Sequence, residues 1–132
     1  MAGRIVVVAV LAAVVVTGAG GAVPKQLVGR YGRTISAAAL AKTTYPQAAG
    51  RWTLTFNRDG TVLAQGPAAS GVSGYLHATA TAPGRLTIRD EFCTPRSGTY
   101  RWKLVGRLLT LAKGNDACGD RTAILVGVWK RS

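Results

Sequence analysis

From residue 51 onward the chain alternates apolar and polar positions with period two, the pattern of strands that bury one face. Trp52, Leu54 and Phe56 are interleaved with Thr53 and Thr55, and Asn57-Arg58-Asp59-Gly60 turns this strand into a partner over residues 61–65. Residues 66–71, rich in Gly, Pro and Ser, read as a loop. A third arm covers residues 72–81, with Tyr75, His77, Thr79 and Thr81 on one face and Leu76, Ala78 and Ala80 on the other. Ala82-Pro83-Gly84 leads into residues 85–89, where Leu86 and Ile88 share a side and Arg85, Thr87 and Arg89 face water. The clearest alternation follows, with Tyr100, Trp102 and Leu104 set against Thr99, Arg101 and Lys103. Val105-Gly106 then turns the chain, residues 107–113 return, and a last strand is expected over residues 121–130.

Ahead of these, residues 27–35 read as a first strand, weakened by Gly29 and Gly32. Ser36 sits as an N-cap before residues 37–42, a run of helix formers that ends at Thr43-Thr44-Tyr45-Pro46. Eight short strands with one short helix between strands 1 and 2 predict an all-β fold, a small antiparallel up-and-down eight-stranded barrel whose closure removes exposed edges. A two-sheet sandwich would satisfy the same alternation. In a barrel, the modest side chains of the Tyr75/His77 row would leave room in the lumen and offer hydrogen bonds. The candidate ligand-binding residues are therefore Trp52, Tyr75, His77, Tyr100 and Trp102.

The N-terminus reads differently. Arg4 precedes an apolar run over residues 5–16, followed by small residues through Ala22, the order of a secretory signal peptide. The run is short of the roughly 20 apolar residues that span a bilayer. Residues 1–22 are thus expected to be a signal peptide, cut after Ala19 or Ala22, and residues 23–132 a single domain with no transmembrane anchor in the mature form. No Cys follows the apolar core to accept a lipid. A secreted, extracellular destination makes a disulfide the default for Cys93 and Cys118. A two-residue turn at Val105-Gly106 sets Leu104 opposite Arg107 and carries the same ladder to Cys93 opposite Cys118. The bridge should contribute about 3–4 kcal/mol.

Charge changes the picture further. The 132 residues hold 17 Lys and Arg against 5 Asp and Glu, a formal net charge of +12, yet 48% are hydrophobic, too many for a disordered basic tail. A single His, and two Cys that are expected to be bridged, leave neither a catalytic dyad nor a metal set, so no enzyme activity and no cofactor are expected. Asp116 and Asp120 flank Cys118 among Gly and Asn and read as a turn in which Asp120 pairs with Arg121, rather than as a calcium loop. The arginines alternate with apolar residues and belong on the outer face. There they would attract an anionic cell-surface polymer. No ring of exposed aromatics interleaves them, so no specific nucleic acid is expected.

Three short motifs resemble one family. Leu27-Val28-Gly29-Arg30-Tyr31 is similar to the Gly-x-Trp opening of lipocalins, with Tyr for Trp, and Gly50-Arg51-Trp52 repeats that motif literally. Val126-Gly127-Val128-Trp129-Lys130-Arg131 resembles the basic end of the last calycin strand, whose Arg packs over the opening aromatic and seals the barrel. The stretch from Phe92-Cys93 through Gly98-Thr99-Tyr100-Arg101-Trp102 to Asp116-Ala117-Cys118-Gly119-Asp120-Arg121 resembles secreted bacterial lipocalin-like domains. The resemblance implies a calycin barrel holding a small apolar or amphipathic ligand. The helix at residues 36–42, placed as in the fatty-acid-binding proteins, would then gate entry. Lipocalins proper are longer and carry a helix near the C-terminus, which the alternation does not predict here. The rival is a basic extracellular module with a filled barrel core, binding anionic polymers or acting as an inhibitor.

Overall fold

A computed structural model describes residues 23–132, and the signal peptide expected at residues 1–22 lies outside the described residues. The strands are β1 (Gly29–Ile35), β2 (Gly50–Phe56), β3 (Thr61–Gln65), β4 (Ser73–Ala82), β5 (Arg85–Arg89), β6 (Ser97–Val105), β7 (Leu108–Asn115) and β8 (Gly127–Arg131). Each is antiparallel to the next, and β8 returns to β1 to close an eight-stranded barrel. Helix α1 (Ala37–Leu40) lies between β1 and β2, and α2 (Gly119–Leu125) between β7 and β8. The tight connections β2–β3, β4–β5 and β6–β7 share one end of the barrel, and every long connection lies at the other.

The chain enters the barrel three times by one device. Gly29-Arg30-Tyr31, Gly50-Arg51-Trp52 and Gly127-Val128-Trp129 each open a strand, with the glycine at φ of 149°, 135° and 149° respectively. Those angles disfavour any side chain. Each aromatic then donates to a carbonyl four residues back: Tyr31 Oη to Leu27 O at 3.0 Å, Trp52 Nε1 to Ala48 O at 2.8 Å, and Trp129 Nε1 to Leu125 O at 2.9 Å. Each accepting residue ends a helical turn, at Lys25–Leu27, Pro46–Ala48 and α2. The buried polar end of each ring is thereby satisfied while its apolar body fills the interior.

Two arginines finish the β1/β8 seam, where only Tyr31 pairs with Arg131 and Gly32 with Lys130. The Arg131 guanidinium carbon lies 5.1 Å from the Tyr31 ring centroid, the arrangement the lipocalin resemblance implies, and that of Arg33 lies 5.1 Å from the Trp129 ring. Arg33 also donates to the carbonyls of Ala123 and Ile124, at the end of α2. Burial lowers its pKa from the ordinary arginine value.

Inside, Tyr31, Trp52, Phe56, Tyr100 and Trp129 are fully buried with Leu54, Leu86, Ile88 and Leu109. The barrel axis is occupied by side chains, as in other small barrels.

Several sequence expectations need correction. In β4 the Tyr75/His77 row faces outward and Leu76 and Ala78 face in, because β3 pairs Val62 with Leu76 and Leu63 with Tyr75, and Val62 is a core residue. The segment expected as a strand over residues 121–130 is a strand only from Gly127; before it lies α2, so the described residues hold two α-helices. Cys118 Sγ caps α2 by accepting from Arg121 N, and Arg121 and Leu125, four apart, are its buried residues. The β6–β7 turn is Gly106-Arg107, with Val105 opposite Leu108, which moves the partners of residues 100–104 by two and keeps their faces. Helix α1 is a single turn, with Leu40 buried beneath it.

Candidate functional site

At the loop-bearing end, between the start of β4, the β5–β6 loop and α2, lies a cleft of about 130 Å3. Trp52 and Ala64 form its floor from β2 and β3, Val72 and Leu76 one wall, and Ile124 and Leu125 the other. The segment between α1 and β2 contributes Tyr45. The alternation on β2, β3 and β4 dictates this floor, since Trp52, Ala64 and Leu76 are the inward side chains nearest that end, Gly74 opposite Ala64 having none. Phe92, 90% exposed, overhangs the cleft from the β5–β6 loop, and Tyr75, 60% exposed, stands at its rim.

The far wall is held by one buried cation. Arg121 Nε and Nη2 reach the two Asp116 oxygens at 2.7 Å each, Nη1 reaches Asp90 Oδ2 at 3.0 Å and Arg96 O at 3.1 Å, and Nη2 also reaches Pro95 O at 2.9 Å. Asp116 further accepts from Cys118 N at 2.9 Å and from the Tyr100 hydroxyl. Burial pushes the Asp116 carboxyl up, but the bonds from Arg121, Tyr100 and Cys118 N outweigh it and hold the pKa below the ordinary carboxylate range. Tyr100 moves the other way, raised first by burial and then by its bond to Asp116. Burial opposes the charge on Arg121, and Asp116 and Asp90 more than restore it. Arg121 therefore pairs with Asp116 and Asp90, not with Asp120 as the sequence suggested. Asp120 instead accepts from Thr44 N at 3.1 Å, tying α2 to the segment after α1.

The Cys93–Cys118 disulfide is formed, with a Cα–Cα distance of 6.1 Å. Neither cysteine lies in a strand: one is in the β5–β6 loop and the other caps α2, so the loops, not the expected ladder, bring them together. The bridge and Arg121 fasten the same loop to the same helix.

Of the sequence-proposed ligand residues, the cleft gathers Trp52 and Tyr75. His77 is on the outer wall, opposite Arg89. Tyr100 is buried and committed to Asp116. Trp102 points inward toward the opposite end, paired with Leu111, and is only partly buried. No residue of 36–42 lines the cleft. Ile124, Leu125, Asp90 and Arg121 were missed as site residues; the signal that would have placed two of them is the four-residue spacing of Arg121 and Leu125 after a Cys-Gly-Asp N-terminus. Among the described residues no His/Cys/Asp/Glu group is disposed to hold a metal, and no helix is long and apolar enough to cross a membrane. Compared with protein-family models, curated proteins and solved structures, the chain matches none. The closed eight-stranded antiparallel barrel is compatible with the lipocalin-like architecture.

Proposed function

We propose that the protein is an exported, non-enzymatic binding module of lipocalin-like kind that seats the apolar end of a small amphipathic molecule in the mouth cleft. The observation that carries this reading is the cleft itself, apolar on its floor and on both walls, above an interior already filled by Trp52, Phe56, Tyr100 and Trp129. Its volume of about 130 Å3 suits a ring-sized group, since a dry cavity of about 150 Å3 accepts benzene. The rim chooses the polar end. Asp90 is matched by Arg121, whereas Asp120 has no ion-pair partner among the described residues. A hydroxyl or ammonium head group suits that carboxylate, and a carboxylate head does not.

Trp52 lines the cleft, so its emission reports occupancy. Phenethylamine and phenethyl alcohol should quench or shift it saturably, phenylacetate should be the weakest of the series, and Ile124→Trp, which fills the space, should abolish saturation by the first two. Equal binding of all three by the parent and Ile124→Trp would overturn the assignment.

A further inference from the structure

No strand of the barrel carries a carboxylate. The acidic residues Asp59, Asp90, Glu91, Asp116 and Asp120 all lie in connections or in α2, while the strands carry Arg30, Arg33, Arg51, Arg85, Arg89, Arg101, Lys103, Lys113, Lys130 and Arg131. On the wall formed by β5, β6 and β7 this becomes specific. Arg85 pairs directly with Arg101, and like charges in that position destabilise a sheet, their Cβ atoms being about 5 Å apart. No acidic side chain of the sheet compensates them.

At the same place the sheet is opened. Tyr100 pairs with Lys113 but Thr99 with Asn115, so β7 has an extra residue, Gly114. A Cβ on Gly114 would lie 2.9 Å from Thr99 O, which is why only glycine fits this bulge. The irregularity makes a groove of about 280 Å3 lined by Arg85, Arg101 and Lys113 together with Thr99 and Asn115, and by Tyr100, whose side chain is buried and committed to Asp116. The Arg85 and Arg101 guanidinium groups stand there beside the Thr99 hydroxyl and the Asn115 amide, Arg101 also donates to Lys113 O at 3.5 Å, and no acidic residue lines the groove.

We infer that this groove binds a phosphate of a linear phosphate polymer that lacks bases. The cations suit phosphate by charge, and arginine by its paired donors. Flanking charges extend the site: Lys103 is two residues from Arg101 and Arg89 four from Arg85, spacings of about 7 and 14 Å along their strands. One bound phosphate therefore has cationic neighbours within reach of the next units of a chain. Stacking on aromatic rings is what single-stranded nucleic acid would require. The outward positions between these cations are Thr87 and Thr99 instead.

The test is binding of long-chain inorganic polyphosphate to the oxidised protein, followed calorimetrically at several salt concentrations. Arg85→Gln/Arg101→Gln should weaken binding about tenfold or more and reduce the slope of log K against log salt by about two. Arg30→Gln/Arg58→Gln removes the same charge from β1 and the β2–β3 turn, on the far side of the barrel, and should leave affinity within about twofold with the slope unchanged. Arg85→Lys/Arg101→Lys should retain most of the binding, and so separates lost charge from a damaged fold. Equal losses in the two Gln pairs would mean that net charge alone attracts the polymer, and would overturn the groove. Inorganic phosphate binding as tightly as the polymer, or single-stranded DNA binding as tightly as polyphosphate, would overturn the polymer assignment.

Discussion

Arg121 grips Asp116 edge to edge, Nε 2.7 Å from one carboxylate oxygen and Nη2 2.7 Å from the other. Both residues are nearly inaccessible, and the remaining guanidinium donors are taken by Asp90 and by the carbonyls of Pro95 and Arg96. A buried pair of this kind is not by itself a source of great stability, because desolvation offsets attraction. Its consequence is positional: it fixes the β5–β6 loop against α2 and so shapes one side of the mouth.

Breaking the pair leaves the other charge buried alone. Asp116→Ala and Arg121→Ala should each cost about 3–5 kcal/mol in denaturant titrations. Arg121→Met, of similar length, should lose the orientation of Phe92 as well, read as faster amide exchange over residues 90–96. Unchanged exchange with intact stability would remove Arg121 from its role.

Gly98 makes room for that pair. A Cβ there would lie 2.2 Å from Asp116 Cγ, whereas at Gly74 it would meet nothing within 4 Å. Gly98→Ala should therefore cost about 1–3 kcal/mol by overpacking, and Gly74→Ala should stay within about 0.5 kcal/mol. Thermal melts of the two variants give the comparison.

The same network sets both pH limits. Asp116 has a depressed pKa, so its contribution is present above the unfolded carboxylate value of about 4 and is lost as pH falls through the folded value. Tyr100 has a raised pKa, so its contribution is present below about pH 10 and is lost as pH climbs through the folded value. Stability against pH should therefore fall on both sides. Tyr100→Phe should flatten the alkaline limb and leave most of the acid limb.

The disulfide and Arg121 act on one loop and should not be additive. Cys93→Ser/Cys118→Ser removes the bridge while serine can still cap α2, isolating the cross-link, which should be worth about 3 kcal/mol. Combined with Arg121→Met, the loss should be smaller than the sum, because either fastening released already frees residues 90–96. Strict additivity in a double-mutant cycle would mean that the two hold different elements.

Most strands were legible because they carry their own period: Trp52-Leu54-Phe56 and Leu86-Ile88 announce their buried faces locally. The face of β4 was not, since Tyr75, His77 and the threonines could serve either side, and only the pairing of Leu76 with Val62 decides. Helix α2 was hidden for a related reason. Its seven residues show the helical period only once, in the spacing of Arg121 and Leu125, and Ala123, Ile124 and Leu125 suit a strand equally well. Asp116 and Arg121 looked like turn residues because their partners are remote in the chain: Tyr100 lies 16 residues before Asp116, and Pro95, Arg96 and Asp90 lie in a loop 26, 25 and 31 residues before Arg121. Trp52 and Tyr75 were found in the sequence, whereas the rest of the cleft depends on which loops meet, and that no local pattern encodes.

Whether the mouth or the lumen receives a ligand is tested most directly by titrating phenethylamine into labelled protein and mapping amide and methyl shifts in two-dimensional NMR spectra. Saturable shifts confined to Val72, Leu76, Phe92, Ile124 and Leu125, with Leu54, Leu86 and Leu109 unmoved, are the predicted result. Shifts concentrated at Leu54, Leu86 and Leu109, or none that saturate, would contradict it.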